Sequence, residues 1–358
     1  MEDLRKEFPV LSKYTYLNTA SCGLISKAVI DWRRQHDNML CEEASVFRDL
    51  HKKHIQSIRN TVAAFINAGE HEVALVPNFS FGLNTLLEGI SKEKKVLLLG
   101  KDYPSVSWPF ESRGFSICHA DIDANLEENI EKAITEYQPD IFAFSLVQYL
   151  NGIKIDFDFL KQLKAYHPNL LLIADGTQYL GTESFNFQES PLDVLGASCY
   201  KWMLSGYGNG IFIIKEEAQA KISPVTIGFN SADATFGRKE DIPFIRHFEP
   251  GHQDTLNYGS MEQAIHFLEK FGMDVVSERV SKLSNLAKDK FTELGLLEDS
   301  VVNRSIHSNI FNIKGDAMLF QKLQEHDVVC SLRDKGIRVS FHFYNTEAEL
   351  NQLCSLVR

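Results

Sequence analysis

From residue 72 onward, short unbroken apolar runs alternate with stretches whose apolar positions recur every three to four residues. The runs fall at 72–76, 95–99, 115–119, 141–145, 170–174, 193–198 and 210–215, and periodic stretches separate several of them at 81–90, 106–113, 126–137 and 157–166. A strand that is apolar at every position is buried on both faces. The alternation therefore predicts an α/β fold on a mostly parallel seven-stranded sheet covered by helices. Upstream, 14–18 reads as a short strand, and Gly23 to Ser26 opens a helix toward Trp32. From 44 to 67, Val46, Leu50, Ile55, Ile58, Val62, Phe65 and Ile66 trace one stripe of a long amphipathic helix that Gly69 ends.

Downstream, the stretch 227–253, rich in Gly, Pro, His and Phe, breaks the alternation and reads as an extended connection. Helices at 261–272 and 273–296 follow, then strands at 309–313, 327–332 and 336–340 and helices at 316–325 and 346–357, which make a smaller α+β domain. The expected organisation is an N-terminal arm (1–15), a large α/β domain (16–255), and bridging helices with a small C-terminal α+β domain (256–358).

One loop in this pattern carries unusual chemistry. An apolar run ends in Ser198-Cys199-Tyr200, Lys201 follows, and Gly206, Gly208 and Gly210 precede the next run. A lysine desolvated between buried strands has a depressed pKa, as a Schiff-base amine requires, although a lysine snorkelling from a strand end fits the same pattern. Asp175 stands at the carboxyl end of the run 170–174, where it is either a buried carboxylate with a partner or a helix cap. Residues 78–82 (Asn-Phe-Ser-Phe-Gly) join a strand to a helix, which suits a phosphate as well as ordinary capping. Together, an amine, a carboxylate and a phosphate-type turn are the groups that pyridoxal phosphate demands.

Composition removes other classes. The 358-residue chain carries a net charge of −11, which gives no global attraction for nucleic acid or anionic membranes. No apolar run approaches the roughly 20 residues of a membrane helix. The six cysteines lack any C-x-x-C pair and no signal segment opens the chain, so reduced thiols in the cytoplasm are expected. His51 and His54 share a helical face among lysines, and a metal site is not expected there.

With these residues in view, the chain resembles the class V aminotransferases of fold type I (aspartate aminotransferase-like), a family that also includes cysteine desulfurases, selenocysteine lyases, kynureninases and isopenicillin N epimerases. The resemblance runs from Tyr-Leu-Asn-Thr-Ala at 16–20, through 78–84, Asp-Tyr-Pro-Ser at 102–105, 145–152, Asp-Gly-Thr-Gln at 175–178 and Ser198 to Lys201, to Ile-Arg-Val-Ser-Phe-His-Phe-Tyr-Asn at 337–345. It implies that Lys201 holds the cofactor as a Schiff base and later moves the α-proton, that Asp175 pairs with the pyridine nitrogen, and that Gln178 lies against the phenolic oxygen. Tyr103 would stack on the ring, Phe79 (through its N–H), Ser80 and Ser198 would hold the phosphate, and His252 would reach a phosphate across a dimer interface. Arg338 would clamp the substrate carboxylate, with Asn18 and Gln148 on the substrate side.

Desulfurases of this family need a mobile cysteine ahead of that arginine. The nearest candidate, Cys330, stands in an apolar, strand-like run and reads as a small buried hydrophobe, as does Cys199. Asn78 and Phe81 also depart from the Gly and Glu common in the desulfurase branch. The resulting expectation is a homodimeric cytoplasmic enzyme acting on an amino acid, with transamination first and a desulfurase-like or epimerase-like lyase or isomerase as the alternative.

Overall fold

In the computed structural model of this chain, which describes residues 2–232 and 241–358, a short strand β1 (Thr15–Tyr16) precedes the alternating region. There β2 (Val73–Val76), β3 (Lys95–Leu99), β4 (Ser116–Ala120), β5 (Ile141–Ser145), β6 (Leu171–Asp175), β7 (Val194–Ser198) and β8 (Gly210–Ile214) form a seven-stranded sheet in the order β2-β8-β7-β6-β5-β3-β4. Strands β3 to β7 are joined in parallel pairs, while β8 runs antiparallel to both β7 and β2.

Successive side chains enter two separate cores. Leu75, Leu97, Phe142, Leu172, Leu195 and Ile213 point to one, and Ala74, Val96, Ala143, Ile173 and Phe212 to the other. Burial on both faces is why these strands are almost wholly apolar, whereas the edge strand β4 leaves Ser116 and His119 exposed. Helices Phe79–Glu88, Pro104–Glu111, Leu126–Tyr137 and Phe157–Tyr166 supply connections. The first approaches the sheet closely because Gly82 and Gly196 both lie against Phe212, where an added Cβ would come within 2.2 and 2.4 Å of its ring.

The winding sets the site. From β3 the chain moves outward to β4, then returns to β5, β6 and β7 on the other side, so its direction reverses between β3 and β5. In open α/β sheets the crevice at the carboxyl ends beside such a reversal is where ligands bind.

The smaller C-terminal domain contains β9 (Ile310–Lys314), β10 (Val328–Val329), β11 (Ser331–Arg333) and β12 (Gly336–Ser340). Strands β11, β12 and β9 make an antiparallel sheet in that order, reached through the helices Thr255–Phe271 and Met273–Glu293. Within the N-terminal segment, Phe8 packs on Tyr344 and Phe267, and Arg5 bonds the Tyr344 carbonyl and Glu349.

Three sequence expectations change. The helix expected over 44–67 is broken into Ser45–Arg48 and His51–Ile66. Val46 and Leu50 are 68% and 45% exposed, whereas Phe47, outside the assumed stripe, is buried against His36 and His54. The preceding Ala44 takes φ 48°, which ends the helix Lys27–Glu43 and resets the phase. The strand expected at 327–332 divides at Cys330, because β10 pairs in parallel with β1 and β11 pairs with β12. The helix expected at 261–272 starts at Thr255, capped by the Asp254 carboxylate. In the connection 227–253, Phe229–Ala232 and Phe244–His247 are 3-10 turns, and 233–240 lie outside the described residues.

Candidate active site

The loop between the antiparallel strands β7 and β8 is a compact turn carrying Lys201. Ser205 Oγ bonds the Cys199 carbonyl and Asn209 Oδ1, at 2.7 and 2.6 Å, and Gly206 and Gly208 supply the positive φ values of 74° and 88° that close it. Gly23 lets the N-terminal segment lie on this turn: its N–H donates to the Tyr200 carbonyl, and a Cβ there would fall 1.8 Å from the Lys201 carbonyl oxygen.

Lys201 is thereby 5% exposed, with Nζ 5.6 Å from the ring centroids of both Tyr103 and Tyr200. Burial pushes its amine down to about 8, and the neighbouring Asp175 carboxylate opposes that fall while Arg338 and Arg333 add to it. Asp175 ends β6; burial pushes its carboxyl up to about 6 against the opposing Thr177 N–H at 2.8 Å and the Lys201 charge. A second buried carboxylate, Asp102, follows β3 and accepts from the N–H groups of Tyr103 at 2.7 Å and Ser145 at 2.8 Å. Burial raises its pKa as well.

Tyr103, Ser145, Val147, Tyr149, Asp175, Thr177, Gln178 and Lys201 line a small, narrow cavity at the carboxyl ends of β5 and β6. Tyr103 precedes the helix Pro104–Glu111 and its ring meets Tyr149 edge-on at 5.1 Å. Gln178 is fixed in the wall by Trp202 Nε1, which donates to its Oε1 at 2.8 Å, and donates from its own Nε2 to the Ala20 carbonyl at 3.0 Å.

Beside the wall lies the amino end of the helix Phe79–Glu88, where Asn78 Oδ1 caps the Phe81 N–H. The Phe79 N–H donates to Ser198 Oγ, Ser80 Oγ donates to Ser105 Oγ, and the Ser198 N–H donates to Thr177 Oγ1. Hydroxyls of Ser80, Ser105 and Ser198 thus collect at a helix amino end, the donor set an anion uses.

Arg338, on β12, is 3% exposed. Its Nη1 donates to the Tyr149 carbonyl at 2.8 Å and its Nη2 to Ser21 Oγ, while Nε is buried with no partner among the described residues. Burial drives its pKa down to about 10, and no carboxylate among the described residues pairs with it. Asn18 belongs to the same network, since its Oδ1 accepts from Ser331 Oγ, which in turn contacts Ser21 Oγ.

Two expected residues stand apart from the cavity wall. Gln148 accepts from the Leu150 and Asn151 N–H groups and donates to the Lys101 carbonyl, so its amide serves the turn after β5. His252 is exposed, with its ring stacked on Phe229 at 5.3 Å. Cys330 and Cys199 are buried, and burial pushes both thiols up to about 12.

Asp102, Ser21, Ser105, Tyr149 and Thr177 enter the site without having been assigned a role from the sequence. Asp102 and Ser105 lay inside a stretch carrying the family resemblance, and Thr177 lay between two assigned residues. Ser21 carried no comparable signal.

These groups fit pyridoxal phosphate: a buried amine, a carboxylate across the cavity, an aromatic face and an anion site beside them. The orphaned Nε of Arg338 is a donor set for a further anion. Among the described residues no cluster of His, Cys, Asp or Glu could hold a metal ion.

Comparison with known proteins agrees. A family model described as Aminotransferase class-V matches residues 15–353. The chain is 23% identical to the Bacillus subtilis protein named "Uncharacterized aminotransferase YcbU", covering 98% of this chain and 95% of that one. It is 25% identical to a "Probable cysteine desulfurase" of Borreliella burgdorferi, covering 97% and 93%. The solved apo structure of cysteine desulfurase from Thermococcus onnurineus NA1 superposes with a TM-score of 0.85 at 19% identity, covering 99% of this chain and 96% of that one. The chain belongs to the class V aminotransferase family.

Proposed function

We propose that this protein is a pyridoxal phosphate enzyme that acts on a free α-amino acid, with Lys201 as the covalent anchor and proton carrier, and that its reaction is transamination. The observation that carries the reading is the pairing, at one cavity, of a buried lysine of lowered pKa with a buried arginine that has no acid partner among the described residues. Pyridoxal phosphate, the cofactor of this family, supplies the conjugated ring that accepts the electron pair from Cα. Asp175 would hold a proton at the ring nitrogen, Tyr103 would cover one ring face, and Gln178 would meet the phenolic oxygen. Ser80, Ser198 and the Phe79 N–H would bind the phosphate. Asp102, through the Tyr103 N–H, would fix the stacking ring. Arg338 would take the α-carboxylate, which orients the Cα–H bond toward the Lys201 amine, and an amine whose pKa is lowered to about 8 is suited to accept that proton.

Transamination is favoured over desulfuration because the candidate thiol is unsuited to attack. Cys330 is buried at the junction of two short strands, and only the turn residues Asp334 and Lys335 separate β11 from β12. A desulfurase-type lyase is the second reading, supported by the names of several relatives. A homodimer is supported by exposed aromatics beside the site, Phe81, Trp108 and Tyr207, and would give His252 its expected place at a partner's phosphate. A cytoplasmic location is supported by the free cysteines.

The experiment is to mix holoenzyme with a panel of amino acids and no keto-acid acceptor. Release of one equivalent of keto acid per subunit, followed by arrest, is expected. Continuous release, with a thiol reductant present, of sulfide together with alanine, or of sulfide together with a deaminated product, would establish the lyase, and loss of sulfide release in Cys330→Ser would make that cysteine the acceptor.

A further inference from the structure

The hairpin carrying Arg338 brings a second guanidinium to the same face. Side chains directly opposite in an antiparallel pair share a face, and residues two apart along a strand do too. Arg338 is opposite Ser331 and Gly336 is opposite Arg333, so Arg338, Ser331 and Arg333 project together from the hairpin. That face is turned to the site, because Ser331 contacts Ser21 and Asn18 and Arg338 reaches the Tyr149 carbonyl of the cavity wall. The opposite face carries Ile337 into the core.

Arg333 differs from Arg338 in two ways. It is exposed, and its cross-strand neighbour is a glycine, which leaves the side chain unobstructed on that side. It forms no ion pair with any carboxylate among the described residues, the adjacent Asp334 included. It is nonetheless close enough to the site that its charge disfavours protonation of both Lys201 and Arg338. An exposed arginine usually serves only solvation. Here two guanidinia without an acid partner among the described residues stand on one face of the hairpin, one buried beside the cavity and one exposed, and a ligand with a single carboxylate satisfies only the first.

We infer that Arg333 is a specificity-determining residue that binds a second acidic group, so that the substrate is an amino acid with an anionic side chain, of the aspartate, glutamate or sulfinate type. The inference rests on the proposed role of Arg338 in holding the α-carboxylate. The side-chain anion points outward from the cavity toward β11, and the Arg333 fork receives it at the entrance, where a neutral side chain would leave that charge unmatched.

The test compares succinate with butyrate, which share a four-carbon chain and differ by one carboxylate, as non-reacting ligands of the holoenzyme by calorimetry. Succinate is expected to bind roughly tenfold more tightly, as one partly exposed charge-assisted contact allows. In Arg333→Gln that preference should fall to near unity with butyrate affinity unchanged, and Arg333→Lys should restore part of it. The ratio of kcat/KM for L-aspartate or L-glutamate over L-alanine should fall in parallel. If neutral amino acids react and Arg333→Gln leaves the succinate preference and the ratio unchanged, this inference is overturned and the transaminase reading stands. If no amino acid reacts and neither acid binds, both fall together. Because Arg333 is exposed, the variants should fold as the parent does.

Discussion

Replacing Arg338 by methionine should make the cofactor-free protein no less stable while abolishing its affinity for carboxylates. Burial, reinforced by the charge of Arg333, lowers the Arg338 pKa from 12.5 to about 10, and a fall of that size corresponds to about 3 kcal/mol of penalty for keeping the charge. The sign is fixed by linkage: the folded state binds this proton more weakly than the unfolded one. The penalty is thus fully present at neutral pH and disappears only above the unfolded value. Methionine removes it but leaves the Tyr149 carbonyl and Ser21 Oγ without a donor, at about 1 kcal/mol each. The expected outcome is a net gain of about 1 kcal/mol, read as a higher midpoint in urea unfolding of the apoprotein. An arginine in an ordinary buried ion pair would behave oppositely, with a loss of about 3–5 kcal/mol on removal of one partner. A loss of that size in Arg338→Met would mean that the guanidinium already has an anionic partner within the fold, and the carboxylate-docking role would fall. The same variant should lose butyrate binding by calorimetry.

Lys201→Ala should yield protein whose cofactor washes out and cannot be fixed by borohydride, measured by mass spectrometry of the intact chain. In the parent apoprotein, acylation of Lys201 should rise with pH around a midpoint near 8, because the amine is neutral only above its pKa. Asp175→Asn should move that midpoint lower, since the carboxylate is what holds the value up; a midpoint moved upward would contradict the assigned geometry. The group's effect on stability has the same origin: between pH 8 and 10.5 the unfolded chain holds the Lys201 proton and the folded one does not, so its contribution should improve as pH rises through that window. Gly23→Ala should displace the lysine turn, because the new Cβ meets the Lys201 carbonyl at 1.8 Å. The expected signs are an unfolding free energy lower by at least about 1 kcal/mol, read as a lower urea midpoint, and weaker cofactor retention; unchanged retention would show that the N-terminal segment can move away.

The sequence by itself determined the sheet. Six of the seven strands are buried on both faces and have little room for polar residues, and the edge strand β4 sits in the same alternation, so the seven runs were visible with ends correct to one or two residues. It also determined the lysine loop and the Asp175 strand end, because local chemistry that departs from a local pattern stands out. What it could not determine was any feature whose cause lies in another element. The phase of the residue 45–50 turn depended on Phe47 packing against His36 and His54 in helices on either side of it, and the pattern at 327–332 concealed a change of partner from β1 to β12. The site is mostly of this second kind. Ser21 meets Arg338 across 317 positions, and Asp102 meets Ser145 across 43. Only the tertiary structure could also show that Gln148 serves its own turn and that Arg338 has no acid beside it among the described residues. Spacing along a sequence records which groups are available, whereas pairing and burial depend on which groups the whole chain brings into contact.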